Sequence, residues 1–131
     1  MLKPAAILAS AAALLAIAPA APVLAQAAVV DLGTAVRCSA AFGIAAADQA
    51  RGEPSARDYP PLGLRGREFF VQTGARLMDE QKLTRDQVQA RMRAEVQKLQ
   101  SEAAASADRG AAMRRILTPC LTLLNATVPA R

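Results

Sequence analysis

The chain has 131 residues, of which 53% are hydrophobic and 3% aromatic, and its formal net charge is +5. It contains two cysteines and no histidine, so a Ser-His-Asp or Cys-His catalytic device cannot be built, and histidine is also missing as a zinc or copper ligand. We therefore expect a protein that is not an enzyme, that works by binding, and that needs no cofactor or metal.

Residues 1–25 have the organisation of a cleavable signal peptide. A positive charge at Lys3 precedes an apolar run, and Val23 and Ala25 supply the small or β-branched residues that a signal peptidase reads. The run is about 14 residues long, whereas a membrane span needs about 20. Cleavage before Gln26 is the first choice, and cleavage after Ala27 is the second.

Removal of this segment leaves residues 26–131 as the working protein. They are predicted to form a single exported domain, with a disordered start at about 26–31 and a disordered end at about 127–131. The alanine-rich signal is typical of bacteria, so the expected location is the periplasm, an oxidising compartment.

Cys38 and Cys120 lie near opposite ends of the exported part. An even cysteine count in an exported protein indicates one disulfide, and the alternative is two independent buried thiols. Closing a loop of about 83 residues would stabilise the fold by roughly 4.5 kcal/mol on the chain-entropy model.

The apolar spacing is helical along the whole exported part, with no alternation long enough for a strand. A first helix is predicted from about Thr34 to Arg51, where Gly52 is placed to end it. Residues 53–61 contain three prolines and are predicted to form a loop.

The second helix is predicted from Leu62 or Leu64 to Gln81. Phe69 or Phe70 begins its apolar face, and the sequence leaves open which of the two is buried. Glycines within this segment lower its intrinsic helix propensity.

The third helix has the clearest start. Thr84 and Gln87 have the spacing of a capping box, and Leu83 and Val88 that of a hydrophobic staple. One apolar stripe follows, consisting of Val88, Met92, Val96, Leu99 and Ala103. The pairs Arg91–Glu95 and Lys98–Glu102 are predicted to form ion pairs on a solvated face.

A fourth helix is predicted to begin after Asp108, its N-cap, and to carry Cys120 on its buried side. Pro119 lies within the helical pattern and removes a backbone donor, so we expect a kink or a fresh start there. The predicted fold is therefore an all-α domain of four helices, in which the disulfide joins the first helix to the last.

Arginine doublets are the main candidates for contact with partners. They are Arg65 with Arg67, Arg91 with Arg93, and Arg114 with Arg115. They would suit an acidic protein partner or peripheral contact with an anionic membrane surface, and the alternative is a solvated arginine-rich exterior. Nucleic acid is disfavoured by export and by the scarcity of aromatic residues.

The segment Leu83-Thr84-Arg85-Asp86-Gln87 is similar to the L-T-x-x-Q motif of the Spy and CpxP group of small periplasmic helical proteins, which includes ATP-independent chaperones and stress sensors. The plan of signal peptide, small helical domain and one disulfide resembles the acid-stress chaperones of the HdeA type. Both resemblances imply a role in envelope stress.

The leading hypothesis is a chaperone-like protein that offers an apolar surface, surrounded by arginines, to non-native protein clients. The candidate binding residues are Arg65, Arg67, Phe69 and Phe70. The alternatives are an accessory or structural subunit of an envelope complex, which uses the arginine doublets for docking, and a small carrier of an apolar ligand.

Overall fold

The structure is a computed structural model that describes residues 30–130. This part of the chain contains four α-helices and no strand, which confirms the predicted all-α class. The helices are α1, Leu32–Ala50; α2, Gly63–Gln81; α3, Arg85–Ala104; and α4, Arg109–Thr127. A short 3-10 helix at Pro54–Ala56 lies between α1 and α2. The predicted signal peptide, residues 1–25, lies outside the described residues.

Side-chain caps fix the starts of three helices. The Asp31 carboxylate accepts a hydrogen bond from the Thr34 backbone N–H at 2.9 Å, so α1 begins earlier than predicted. The capping box predicted at α3 is present: the Thr84 hydroxyl accepts from the Gln87 N–H, and the Thr84 N–H donates to the Gln87 side chain. Asp108 caps α4, as predicted.

The side chain of Gln49 holds the connection between α1 and α2 by hydrogen bonds. Gln49 donates to the carbonyl oxygen of Pro60 at 2.9 Å, and its side-chain oxygen accepts from the Leu62 N–H at 3.0 Å. The chain leaves α1 through Gly52, whose φ of 72° explains why glycine stands there. The prediction that Gly52 ends the first helix is therefore confirmed.

The core surrounds α1, which packs against each of the other three helices. Phe42 is completely buried at its centre and meets Phe69 of α2 edge to face, with ring centroids 5.3 Å apart. A smaller apolar cluster joins the start of α1 to α2 and α3. Its members are Leu32, Val36, Leu77, Val88 and Met92.

A disulfide between Cys38 and Cys120 connects α1 to α4, with the two Cα atoms 5.2 Å apart. The predicted link between the first and last helices is therefore present. We predicted a kink or a fresh start at Pro119; α4 continues through this residue as one helix, so the fresh start is not found. Pro119 has no N–H to donate to the helix carbonyl oxygen one turn earlier. It lies on the exposed side of α4, where a water molecule can donate to that oxygen.

The end of the described chain packs onto the domain. Val128 is buried, and its N–H donates to the Leu124 carbonyl oxygen at 2.8 Å. This differs from the disordered end expected from about residue 127, because Val128 has an apolar site in the core cluster. None of the described helices is long and apolar enough to cross a membrane.

Candidate functional site

The helix α2 carries all the large apolar side chains that are exposed within residues 30–130. They are Leu64 with 84% of its surface exposed, Val71 with 61%, Met78 with 41% and Phe70 with 37%. The other three helices expose none in this part of the chain. Isolated exposed apolar residues are ordinary on protein surfaces, but their concentration on one helix marks a candidate interaction site.

Leu64, Val71 and Met78 form a row along the outer side of α2. Successive members are seven residues apart, and a straight helix drifts by only about 20° over seven residues. We call these three residues the α2 apolar row. The opposite side of the helix buries Phe69, Thr73 and Leu77 against the core. The helix is therefore apolar on its outer side as well, where a surface helix normally carries polar residues.

Phe70 lies between the buried side and the apolar row, facing α3. It lines a groove of about 390 Å³ together with Met92 and Val96 of α3. Arg93 and two glutamines complete the wall of this groove. The exposed apolar surface of α2 therefore extends towards α3.

The two phenylalanines that we named as candidate binding residues have different environments. Phe69 is only 4% exposed and packs on Phe42, so its ring is part of the core and is not available to a partner. Phe70 is exposed beside the groove. The sequence left this choice open because either residue fits the apolar side of a helix.

The two arginines of the same segment also differ. Arg65 donates to the Val128 carbonyl oxygen at 2.6 Å and to Asn125 at 2.9 Å, which ties the start of α2 to the end of α4. Arg67 is exposed and forms no hydrogen bond or ion pair with any described residue. Because Arg67 lies three residues after Leu64 and four before Val71, its free guanidinium stands beside the apolar row.

The predicted pairs Arg91–Glu95 and Lys98–Glu102 are not found: Lys98 lies 4.0 Å from Glu95 instead, and both glutamates contact α1. Arg37 contacts Glu102 at 2.6 Å and Glu95 at 3.3 Å. Hydrogen bonding from Arg37, followed by the attraction of its charge, lowers the pKa of Glu102 below its usual value. Arg91 donates instead to Gln81 at the end of α2. The predicted solvated face of α3 is therefore partly an interhelical contact.

The apolar row is the part of the site that the sequence analysis missed. The signal was the spacing of seven residues between Leu64, Val71 and Met78, on the side of the helix opposite Phe69 and Leu77. Comparison with protein-family models, curated proteins and solved structures finds no match to this chain. The site has therefore to be interpreted from its own chemistry.

Proposed function

We propose that this chain is an exported, periplasmic, chaperone-like protein that binds apolar segments of non-native polypeptides. The observation that carries the proposal is the α2 apolar row, which a rigid helix holds in contact with water. Burial of apolar surface contributes about 25 cal/mol per Å², so a client that covers the row gains binding free energy without any rearrangement of the domain.

The layout of the row suits clients of varied sequence. Leu64, Val71 and Met78 stand one above another as separate apolar contacts, with Glu68 between the first two and Ala75 between the last two. Such a surface can accept an apolar side chain at any of its three points without requiring a fixed order of residues. Methionine adds adaptability because its side chain is unbranched and polarisable.

The charge beside the row favours clients with acidic neighbouring residues. Arg67 has no partner among the described residues, and the chain's formal charge of +5 becomes +4 when Lys3 is removed with the signal peptide. A client carboxylate that reaches Arg67 gains a charge-assisted hydrogen bond, and the positive field increases the rate of encounter. Added salt is therefore expected to weaken client binding moderately.

Export is supported by two features. Residues 1–25 have the pattern of a signal peptide, and the disulfide between Cys38 and Cys120 is the kind of bond that persists in oxidising compartments.

A matched pair of variants tests the proposal. Leu64→Gln with Val71→Gln removes two contacts of the row, and Ala47→Gln with Ala94→Gln places the same side chains at exposed positions of α1 and α3. The protein without residues 1–25 should slow the aggregation of an acidic test client at equimolar amounts between about pH 5 and 7, where the client carboxylates are ionised. The row variant should lose most of this effect, and the control variant should keep it.

The proposal would be overturned if the unaltered protein failed to slow aggregation, or if both variants lost the effect equally. Sedimentation velocity on the same samples reports whether a second copy of the chain occupies the row. A stable dimer that the row variant converts to a monomer, without any effect on clients, would assign the row to self-association instead.

A further inference from the structure

A second concave surface lies on the side of the domain formed by α1, α4 and the end of α3. It is a cleft of about 570 Å³ beside the disulfide, and no residue of α2 lines it. Its walls include Ile116, Pro119 and Leu123 of α4 together with Cys38 and Cys120. The volume falls within the range of small-molecule sites, about 300–1,000 Å³.

Two arginines and one glutamate line this cleft, so its positive charge exceeds its negative charge. Arg37 and Glu102 line it and pair with each other at 2.6 Å. Arg115 also lines it, and this guanidinium forms no hydrogen bond or ion pair with any described residue. The cleft therefore combines apolar walls with one cation that has no partner in the described part of the chain.

The neighbouring arginine does not share this environment. A Cβ atom added at Gly110 would lie 3.6 Å from the Arg114 guanidinium and 3.7 Å from Ser55, which places Arg114 towards the 3-10 helix. The Arg114–Arg115 doublet is therefore divided between two sides of α4, and only Arg115 belongs to the cleft.

We infer that the cleft binds an amphiphile with a single acyl chain and an anionic head group, such as a fatty acid. The acyl chain would cover Ile116 and Leu123, and the carboxylate would receive two parallel hydrogen bonds from Arg115. A neutral amphiphile would gain only the apolar contact, and a cationic one would be repelled. This inference goes beyond the proposed function, because client binding uses a different face of the molecule.

Dodecanoate, used below the concentration at which it forms micelles, is the probe for this site. Isothermal titration of the disulfide-bonded protein should show binding that Arg115→Gln weakens by about three- to tenfold, an effect between that of an exposed and a buried ion pair. Arg114→Gln removes the same charge one residue away and should change the affinity less than twofold. Dodecanol, which lacks the charge, should bind all three proteins equally.

Nuclear magnetic resonance places the ligand. Dodecanoate should shift the methyl signals of Ile116 and Leu123 and leave those of Leu64 and Val71 unchanged. The inference is overturned if dodecanoate does not bind, if the shifts lie on α2, or if Arg114→Gln weakens binding as much as Arg115→Gln. It is also overturned if Arg115 is needed only for binding to vesicles of anionic phospholipid, because the residue would then serve membrane contact.

Discussion

Gly66 of α2 lies directly against Phe42 of α1, so that a Cβ atom added at Gly66 would be 3.0 Å from the Phe42 Cβ. The glycine that weakens α2 as an isolated helix is thus the residue that permits its close approach to α1. Because Phe42 is completely buried, its Cβ cannot move away unless α1 moves as well.

Replacing this glycine should separate the two helices. We expect Gly66→Ala to lower the free energy of unfolding by about 1–3 kcal/mol, as overpacking of a core does. Gly43→Ala is the matched control, because Gly43 is an exposed position within α1 and a Cβ there meets nothing within 4 Å. That control should stabilise the protein by about 0.5–1 kcal/mol. Chemical denaturation measures both, and equal effects would contradict the described packing.

The disulfide between Cys38 and Cys120 should contribute a large part of the stability. Replacing both cysteines with alanine should lower the free energy of unfolding by about 2–4 kcal/mol, because the unfolded chain regains the freedom of a long loop. Thermal unfolding of the unaltered protein, disulfide-bonded in one sample and reduced in the other, gives the same comparison without mutation. No change in the melting temperature would show that the loop is already restricted in the unfolded state.

Acid should weaken the contact between Arg37 and Glu102. The pKa of Glu102 in the folded protein is below its usual value of 4.5, so its contribution to stability is present above that pH and is lost as the pH falls through the folded value. The difference in stability between the unaltered protein and Glu102→Gln should be largest near neutral pH and should shrink below about pH 4.5.

Glu53→Gln provides the control for this titration. Glu53 is exposed and forms no ion pair with any described residue, so its replacement removes a carboxylate without removing an interhelical contact. A gap between the unaltered protein and Glu102→Gln that stays constant down to pH 2 would contradict the role given to the Arg37 contact.

The local chemistry of the sequence predicted the starts of α3 and α4, because the side chains of Thr84 and Asp108 satisfy backbone N–H groups a few residues away. It placed the start of α1 too late, because Asp31 was not recognised as the cap. The disulfide was predictable from the cysteine count and from the position of both cysteines on buried sides.

Tertiary packing determined what the sequence could not predict. Phe69 and Phe70 fit the apolar side of α2 equally well, and the contact with Phe42 selects Phe69. Spacing within α3 suggested that Glu95 and Glu102 pair with residues of the same helix. Both instead contact Arg37 of α1. The apolar row could not be recognised as a separate face because its members are interspersed along the sequence with the buried residues of α2.

Substitution of Arg65 should affect mainly stability, and substitution of Arg67 should affect mainly client binding. Arg65→Ala removes the contacts with Val128 and Asn125 and should cost about 1–2 kcal/mol of unfolding free energy, since a charged donor then no longer satisfies a partly buried carbonyl. Arg67→Ala should change stability by less than about 0.5 kcal/mol. Arg67→Ala should weaken the binding of an acidic client, which fluorescence anisotropy measures. The site would be contradicted if Arg65→Ala weakened client binding and Arg67→Ala lowered stability instead.

The most direct test of the account is to map where a client binds. An acidic polypeptide that stays unfolded should be titrated into the isotope-labelled protein, with residues 1–25 removed, while amide and methyl signals are recorded by nuclear magnetic resonance. We expect the largest shifts at Leu64, Val71 and Met78, with smaller ones around Phe70. Shifts that leave α2 unaffected, or no binding at all, would contradict the claim that the α2 apolar row receives non-native clients.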